Sequence, residues 1–336
     1  MTIHKRRSIP FGYKLFAGFL SLVAIFALAM VVGAADTSIQ EVWLALTTQA
    51  VGDSMSIIRE IRLPREIAAI VVGAALAIAG AIMQGMTRNP LADPGLLGLT
   101  AGAHAALAIA LAWLPTANYI TIIVACFIGA GVGATMVLGI VSIKKGNMSP
   151  FRIVLAGAAV TALLNAIAEA IGIYFKLSKD VSMWTSGGLV GTSWKQLEFI
   201  VPFIIVGIVI ALLLSKQLTI LSLSDEVAVG LGQNTKLVKA ILFIVIILLA
   251  GASVALVGNM IFIGLMIPHI ARALVGTDYR FIVPMSAILG ANFMLFADML
   301  GRTMNIPYET PVASIVAMMG LPFFLFIVHK GGKSLS

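Results

Sequence analysis

An all-α fold held in a lipid bilayer, one domain over residues 1–336 with about ten membrane-spanning helices, is what this chain predicts, on three observations. Of its 336 residues 60% are apolar and only 11% are charged, where soluble proteins carry about 25% charged residues. The apolar residues come in runs spread from Leu15 to Val328, and no polar stretch between them is long enough to fold apart. The alternating pattern of a membrane barrel is absent. Lipid offers no partner to a free peptide group, so each run must satisfy its own backbone as a helix.

A hydrocarbon core of about 30 Å needs roughly 20 helical residues. The first span is expected at 15–35. Lys5, Arg6 and Arg7 precede it as they would a signal peptide, but its apolar core is too long and Ala34-Ala35-Asp36 is a weak cleavage site. The second and third, at 67–86 and 96–114, are separated by two prolines and two glycines within 88–98. No helix runs through such a segment, and Asn89 and Asp93 are suited to hydrogen-bond its turning backbone. Spans four to seven are expected at 119–142, 152–175, 198–215 and 237–257. The eighth, 260–275, is interrupted by Pro268, His269 and Arg272; the ninth and tenth follow at 281–301 and 312–328. Glycine and alanine recur inside these runs, as in Gly129-Ala130-Gly131-Val132-Gly133, and small residues let helices approach closely in lipid.

Ten spans put both termini on one side. That side holds 15 lysines and arginines against 7 on the other, which the positive-inside rule assigns to the cytoplasm. The net charge of +8 is accounted for by these flanking residues and does not argue for nucleic acid. Cys126 alone forms no intramolecular disulfide, and four scattered histidines lack metal-ligand spacing. Gly332-Lys333-Ser334 looks like the end of a phosphate-binding loop, but Ile327 stands where its first glycine is required and no strand precedes it. Any dependence on ATP must come from a partner.

Four groups of residues invite a function. Ser224 can cap a short helix whose first turn holds Asp225 and Glu226 and whose end is closed by Gly230 or Gly232. Leu223, Val227 and Leu231 then share one face, suited either to a protein partner or to the lipid surface. Arg62, Arg65 and Arg302 fall on the outer side against the charge rule; they suit a basic rim for acidic groups, or headgroup anchoring with an Asp298–Arg302 pair at i, i+4. Glu169 and Asp298 lie within spans, where an acid costs roughly 2.5–3.5 kcal/mol and must face protein or water. Proton coupling, structural pairing and cavity lining are all open to them. His104, in a small-residue stretch, is suited to packing as a neutral histidine or to approaching haem.

In this order the segments resemble the FecCD-type family, the permease subunits of ABC importers for ferric siderophores and vitamin B12. The resemblance runs over about 62–328: R-L-P-R at 62–65, R-N-P-L-A-D-P-G-L-L-G at 88–98, W-T-S-G-G at 184–188, D-E-V-A-V-G-L-G at 225–232, G-N-M-I-F-I-G-L-M-I-P-H-I-A-R at 258–272, G-A-N-F-M-L-F-A-D at 290–298 and E-T-P at 309–311. It implies a multi-pass subunit of a bacterial cytoplasmic membrane that pairs with a second permease copy or paralogue and does no covalent chemistry, with no cofactor. A cytoplasmic ATPase dimer would grip the segment 220–233, with Leu223, Asp225, Glu226, Gly230 and Gly232 as coupling residues. An extracytoplasmic substrate-binding protein would dock through acidic groups on Arg62, Arg65 and Arg302. Ser149, Pro150 and Phe151 stand at the expected inner gate, where Phe151 in place of a hydroxyl-rich residue suggests an apolar plug. Trp184 fits the outer end of the pathway. A ferric siderophore is the expected cargo, with haem or cobalamin as alternatives within the family; a proton-coupled carrier using Glu169 and Asp298 is the alternative outside it.

Overall fold

A computed structural model describes residues 9–32, 38–48, 52–143, 150–185, 188–305 and 308–332, and these contain helices and turns but no strand. In chain order the helices are α1 (Phe11–Val31), α2 (Ile39–Thr47), α3 (Asp53–Thr87), α4 (Leu99–Trp113), α5 (Tyr119–Ser142), α6 (Pro150–Tyr174) and α7 (Ser178–Thr185). They continue as α8 (Trp194–Leu213), α9 (Ser215–Leu221), α10 (Asp225–Gly230), α11 (Thr235–Val257), α12 (Ile263–Val275), α13 (Tyr279–Thr303) and α14 (Val312–Gly332). By length and composition α1, α3, α5, α6, α8, α11 and α13 can each cross a membrane, and α4, α12 and α14 are shorter apolar helices. Ten apolar helices thus stand where ten spans are expected.

The main departure is α3, which begins at Asp53 rather than near residue 67. Its first turns carry Asp53, Arg59, Glu60, Arg62 and Arg65, too charged to register as a span, and include a π-helical stretch at Ile57–Arg62. Two further helices escape a search for long apolar runs. Ser38 and Glu41 form a reciprocal capping box at the start of α2, and α7 is only 8 residues long.

Helix α3 is the hub, packed by α13, α12, α11 and α8, and 83% of its apolar window is buried. Its contact with α13 is backbone to backbone: a Cβ added at Gly73 would overlap the carbonyl oxygen of Gly290, and one added at Gly80 would overlap Gly264 of α12. Small residues therefore set these interhelix distances. A second group forms as α5 packs on α4, α6 and α11. Helix α1, with only 11% of its window buried, lies at the edge against α13. Asn292 donates to the Gly18 carbonyl at 3.2 Å, and Lys14 donates to the Leu274 carbonyl at 2.6 Å.

Two non-helical segments enter this helical bundle. After α3 the chain turns at Arg88, held in the left-handed region at φ 53°. Asn89 then accepts the Leu91 amide at 3.0 Å and Asp93 the Gly95 amide at 2.7 Å, before a 3-10 turn at Pro94–Leu97 leads into α4. Between α11 and α12, residues 258–262 are also non-helical, with Phe262 at φ 69°. The first segment packs on the start of α12, where Asp93 and Pro94 press on Gly264; a Cβ there would sit 2.8 Å from the Pro94 ring. Non-helical backbone at membrane depth is tolerated only when buried in protein or lining a wet cavity.

Candidate functional site

The 23 residues from Arg65 to Thr87 rise about 33 Å along α3, so the groups at its two ends face opposite ends of the bundle. At its start Arg62, Arg65 and Arg302 come together, as expected, but they do not form an open rim. All three are buried, at 5%, 6% and 3% exposure. Arg65 forks onto Asp298 with Nε and Nη2 at 2.9–3.0 Å, and its Nη1 takes both carboxylate oxygens of Glu309 at 2.9 and 3.0 Å. Arg302 places Nε 3.1 Å from Asp298 and pairs through Nη2 with the fully buried Glu66. Arg62 donates to the carbonyls of Met30 and Val31 at the end of α1, at 2.7 and 3.1 Å.

The physical reason is the early start of α3. Because Arg62 and Arg65 lie inside a helix rather than in a loop before it, they point into the bundle, where three carboxylates match three guanidinium groups. The expected Asp298–Arg302 pair is present, and Asp298 is a structural ion-pair partner. Glu66 and Glu309 escaped the sequence reading. The spacing of Glu66 four residues after Arg62 was available as a signal, whereas nothing local to Glu309 announces Arg65, 244 positions away.

At this same end Trp184, half-buried, lines a cleft of about 420 Å³ with Tyr119, Glu309, Thr310 and Pro311. Ser186 and Gly187 lie outside the described residues.

At the far end of α3, α10 is short and capped: Ser224 Oγ accepts the Val227 amide at 3.1 Å. Gly232, at φ 78°, lets the chain reverse, and the Gln233 amide closes on the Ala228 carbonyl at 2.9 Å. Asp225 is tied to the bundle by Lys239 at 2.8 Å and faces Arg88 at 3.7 Å. Beneath, Ala228 is fully buried, while Leu223, Val227, Val229 and Leu231 are exposed, together with Glu226 and Gly230. The preceding α9 is fastened to the start of α13. Thr219 Oγ1 donates to Asp278 at 3.0 Å and accepts the Tyr279 amide at 2.9 Å. Arg280 hydrogen-bonds Asp278 and holds its carboxyl below the ordinary carboxylate range. Arg272 bridges Tyr279 at 3.0 Å to Gln84 of α3 at 3.3 Å. Contacts thus join α9 and α10 to the end of α3, to α11 and to α13.

Between the two ends, α6 turns Ile153, Ala156, Val160, Leu164 and Ala168 into the bundle and leaves Val154, Leu155, Leu163 and Ile167 exposed. Along one edge of that open face run Thr161, Asn165 and Glu169, one turn apart, beside His104 of α4. His104 Nδ1 lies 3.1 Å from Asn165 Oδ1. These residues line a cleft of about 580 Å³ whose other wall includes Asp93, Gly95, Asn259 and Ile261 from the two non-helical segments, with Ser182. Glu169 thus lines a cavity, and Asp298 sits elsewhere, locked between arginines. Of the expected gate, Ser149 lies outside the described residues, as do the side chains of Pro150 and Phe151; the backbone of these two begins α6. Lys333 and Ser334 of the phosphate-loop resemblance also lie outside them.

A model of the FecCD transport family matches residues 21–330. The chain is 42% identical to the iron(3+)-hydroxamate import system permease protein FhuB of Bacillus subtilis (strain 168), over 96% of this chain and 84% of that protein. It is 37% identical to the hemin transport system permease protein HmuU of Yersinia pestis, over 94% of this chain and 96% of that one. A solved inward-facing conformation of an ABC transporter described as of metal-chelate type superposes with a TM-score of 0.84 at 25% identity, covering 95% of this chain and 99% of the other.

Proposed function

The chain belongs to the FecCD transport family, and on that premise we propose that it is the membrane permease of an ABC importer that carries a ferric siderophore into the cell. Relatives named for ferric hydroxamate, ferric citrate and ferric enterobactin support an iron chelate as cargo. The observation that carries the mechanism is the separation of two unlike surfaces along α3. One end presents the capped helix α10 with exposed apolar residues around it; the other holds the arginine cluster and the aromatic cleft.

An ATPase dimer in the cytoplasm grips Leu223, Asp225, Glu226, Gly230 and Gly232 and, on binding ATP, pushes through α10 into α3, α11 and α13. The start of α6, with Ser149, Pro150 and Phe151, then opens or closes the inner end of the pathway. A substrate-binding protein docks at the arginine end. Arg62 and Arg302 shape that face from beneath, and Arg65 reaches it where a partner carboxylate can replace Glu309. A second copy or a paralogue covers the open face of α6, and both termini lie in the cytoplasm.

The proton-coupled alternative is disfavoured by the engagement of Asp298 with Arg65 and Arg302, which makes it a structural ion-pair partner. The test is uptake into proteoliposomes. The complete importer should accumulate radioiron-labelled siderophore only with ATP inside its ATPase compartment, and charge reversal of Arg65 should lower uptake by weakening capture of the binding protein. Accumulation driven by a pH gradient without the ATPase would overturn the proposal.

A further inference from the structure

The cleft beside α6 carries a sign of charge. Among the described residues its lining includes two carboxylates, Asp93 and Glu169, and no lysine or arginine; the remaining polar groups, His104, Thr161, Asn165 and Ser182 among them, are hydrogen-bonding side chains. Lys176 and Lys179, the nearest cations along the chain, are exposed beyond the end of α6 and do not line it. Asp93 is occupied by the Gly95 amide. Glu169 makes no hydrogen bond or ion pair among the described residues and is exposed along the edge of α6, five residues before the helix ends at Tyr174. A carboxylate within a membrane span is costly without a partner or water, and fields are focused in a cleft with low-dielectric walls. The facing wall is built partly of non-helical backbone, which at membrane depth must be buried in protein or line a wet cavity, and Asn259 and Ile261 line this cleft.

Resting on the family-level reading above, we propose that this cleft is a charge filter. It passes ferric chelates whose net charge is zero or positive, as in ferric trihydroxamates, and hinders anionic ones such as ferric tricatecholates and citrates. The chemistry of the cargo makes the distinction sharp. Three singly charged hydroxamates balance one ferric ion, so only pendant groups set the net charge, whereas three catecholates leave a trianion. Selectivity arises from repulsion of the wrong cargo, which needs no tight site for the right one.

The test holds the chelate scaffold constant. A linear trihydroxamate with a free terminal amine is prepared in its ammonium, acetylated and succinylated forms, so the ferric complex is cationic, neutral or anionic. Uptake by the complete importer is measured with each form supplied saturating on the binding protein, so that differences in capture cancel. The cationic form should be fastest and the anionic slowest. Glu169→Gln should shrink the cationic-to-anionic ratio by about fivefold, the order expected for one unit charge in a partly wet cleft. Asn165→Asp should enlarge the ratio and Glu169→Lys should invert it. Equal rates for the three forms in the native importer, or ratios unmoved by Glu169→Gln and Asn165→Asp, would overturn the filter while leaving the importer intact. No uptake of any form would instead remove the reading on which the filter rests.

Discussion

Replacing Asp298 by asparagine preserves the shape of its side chain and removes a charge that two arginines share. Asp298 is fully buried, receives three contacts of 2.9–3.0 Å from Arg65 and lies 3.1 Å from Arg302. Breaking a buried pair from one side strands the other charge and costs about 3–5 kcal/mol. Glu309 serves as an internal comparison, since it binds the same Arg65 bidentately but from a side chain that is 32% exposed. Solvent screening brings such a pair down to about 0–1 kcal/mol. Denaturant unfolding of the purified permease in detergent, followed by tryptophan fluorescence, should therefore rank Asp298→Asn at least about 2 kcal/mol below Glu309→Gln. Asp298→Asn and Arg65→Gln together should cost less than the sum of the two single substitutions, because both remove the same contact. Equal costs for Asp298→Asn and Glu309→Gln, or a neutral Asp298→Asn, would refute the view that burial rather than pairing geometry sets the worth of these contacts.

Gly73→Leu should prevent α3 from reaching α13 and abolish recovery of folded protein from membranes, whereas Gly12→Ala, with open space around it, should be silent in the same assay. Leu231→Asp, at a site 65% exposed, should leave folding intact and reduce co-purification of the ATPase; unchanged co-purification would remove α10 from the docking surface. Phe151→Ala should raise basal ATP hydrolysis or chelate leak if that side chain plugs the inner gate, and neither change would count against the plug. Since Asp278 is held below the ordinary carboxylate range, its contribution to stability is present at neutral pH and is lost only as pH falls through that lowered value. An acid titration of unfolding should show that loss in the native chain and not in Asp278→Asn.

Lipid simplifies the reading of a sequence, because an apolar run must be helical and must span, and so α5, α11 and α13 begin and end within about two residues of where hydropathy places them. The capped helix at Asp225–Gly230 was equally legible, since Ser224, the following acids and Gly232 act locally. Ion pairing was not. Arg65 and Glu309 are joined by folding alone, and the charged start of α3 resembles a loop until Glu66, Asp298 and Glu309 neutralise it. The polar edge of α6 was half legible: Glu169 stood out as an acid in a span, but Thr161 and Asn165 acquire meaning only once His104 and the 258–262 segment are brought beside them.

That segment has a consequence for how the molecule would register in deuterium exchange. A continuous transmembrane helix shields its amides twice, by its own ladder and by the absence of solvent. Residues 259–262 lack the ladder, and Asn259 and Ile261 border the cleft, so these amides should label rapidly although both flanking helices stay dark. A bright patch amid protected neighbours would give a direct, site-resolved clock for each opening of the passage to water.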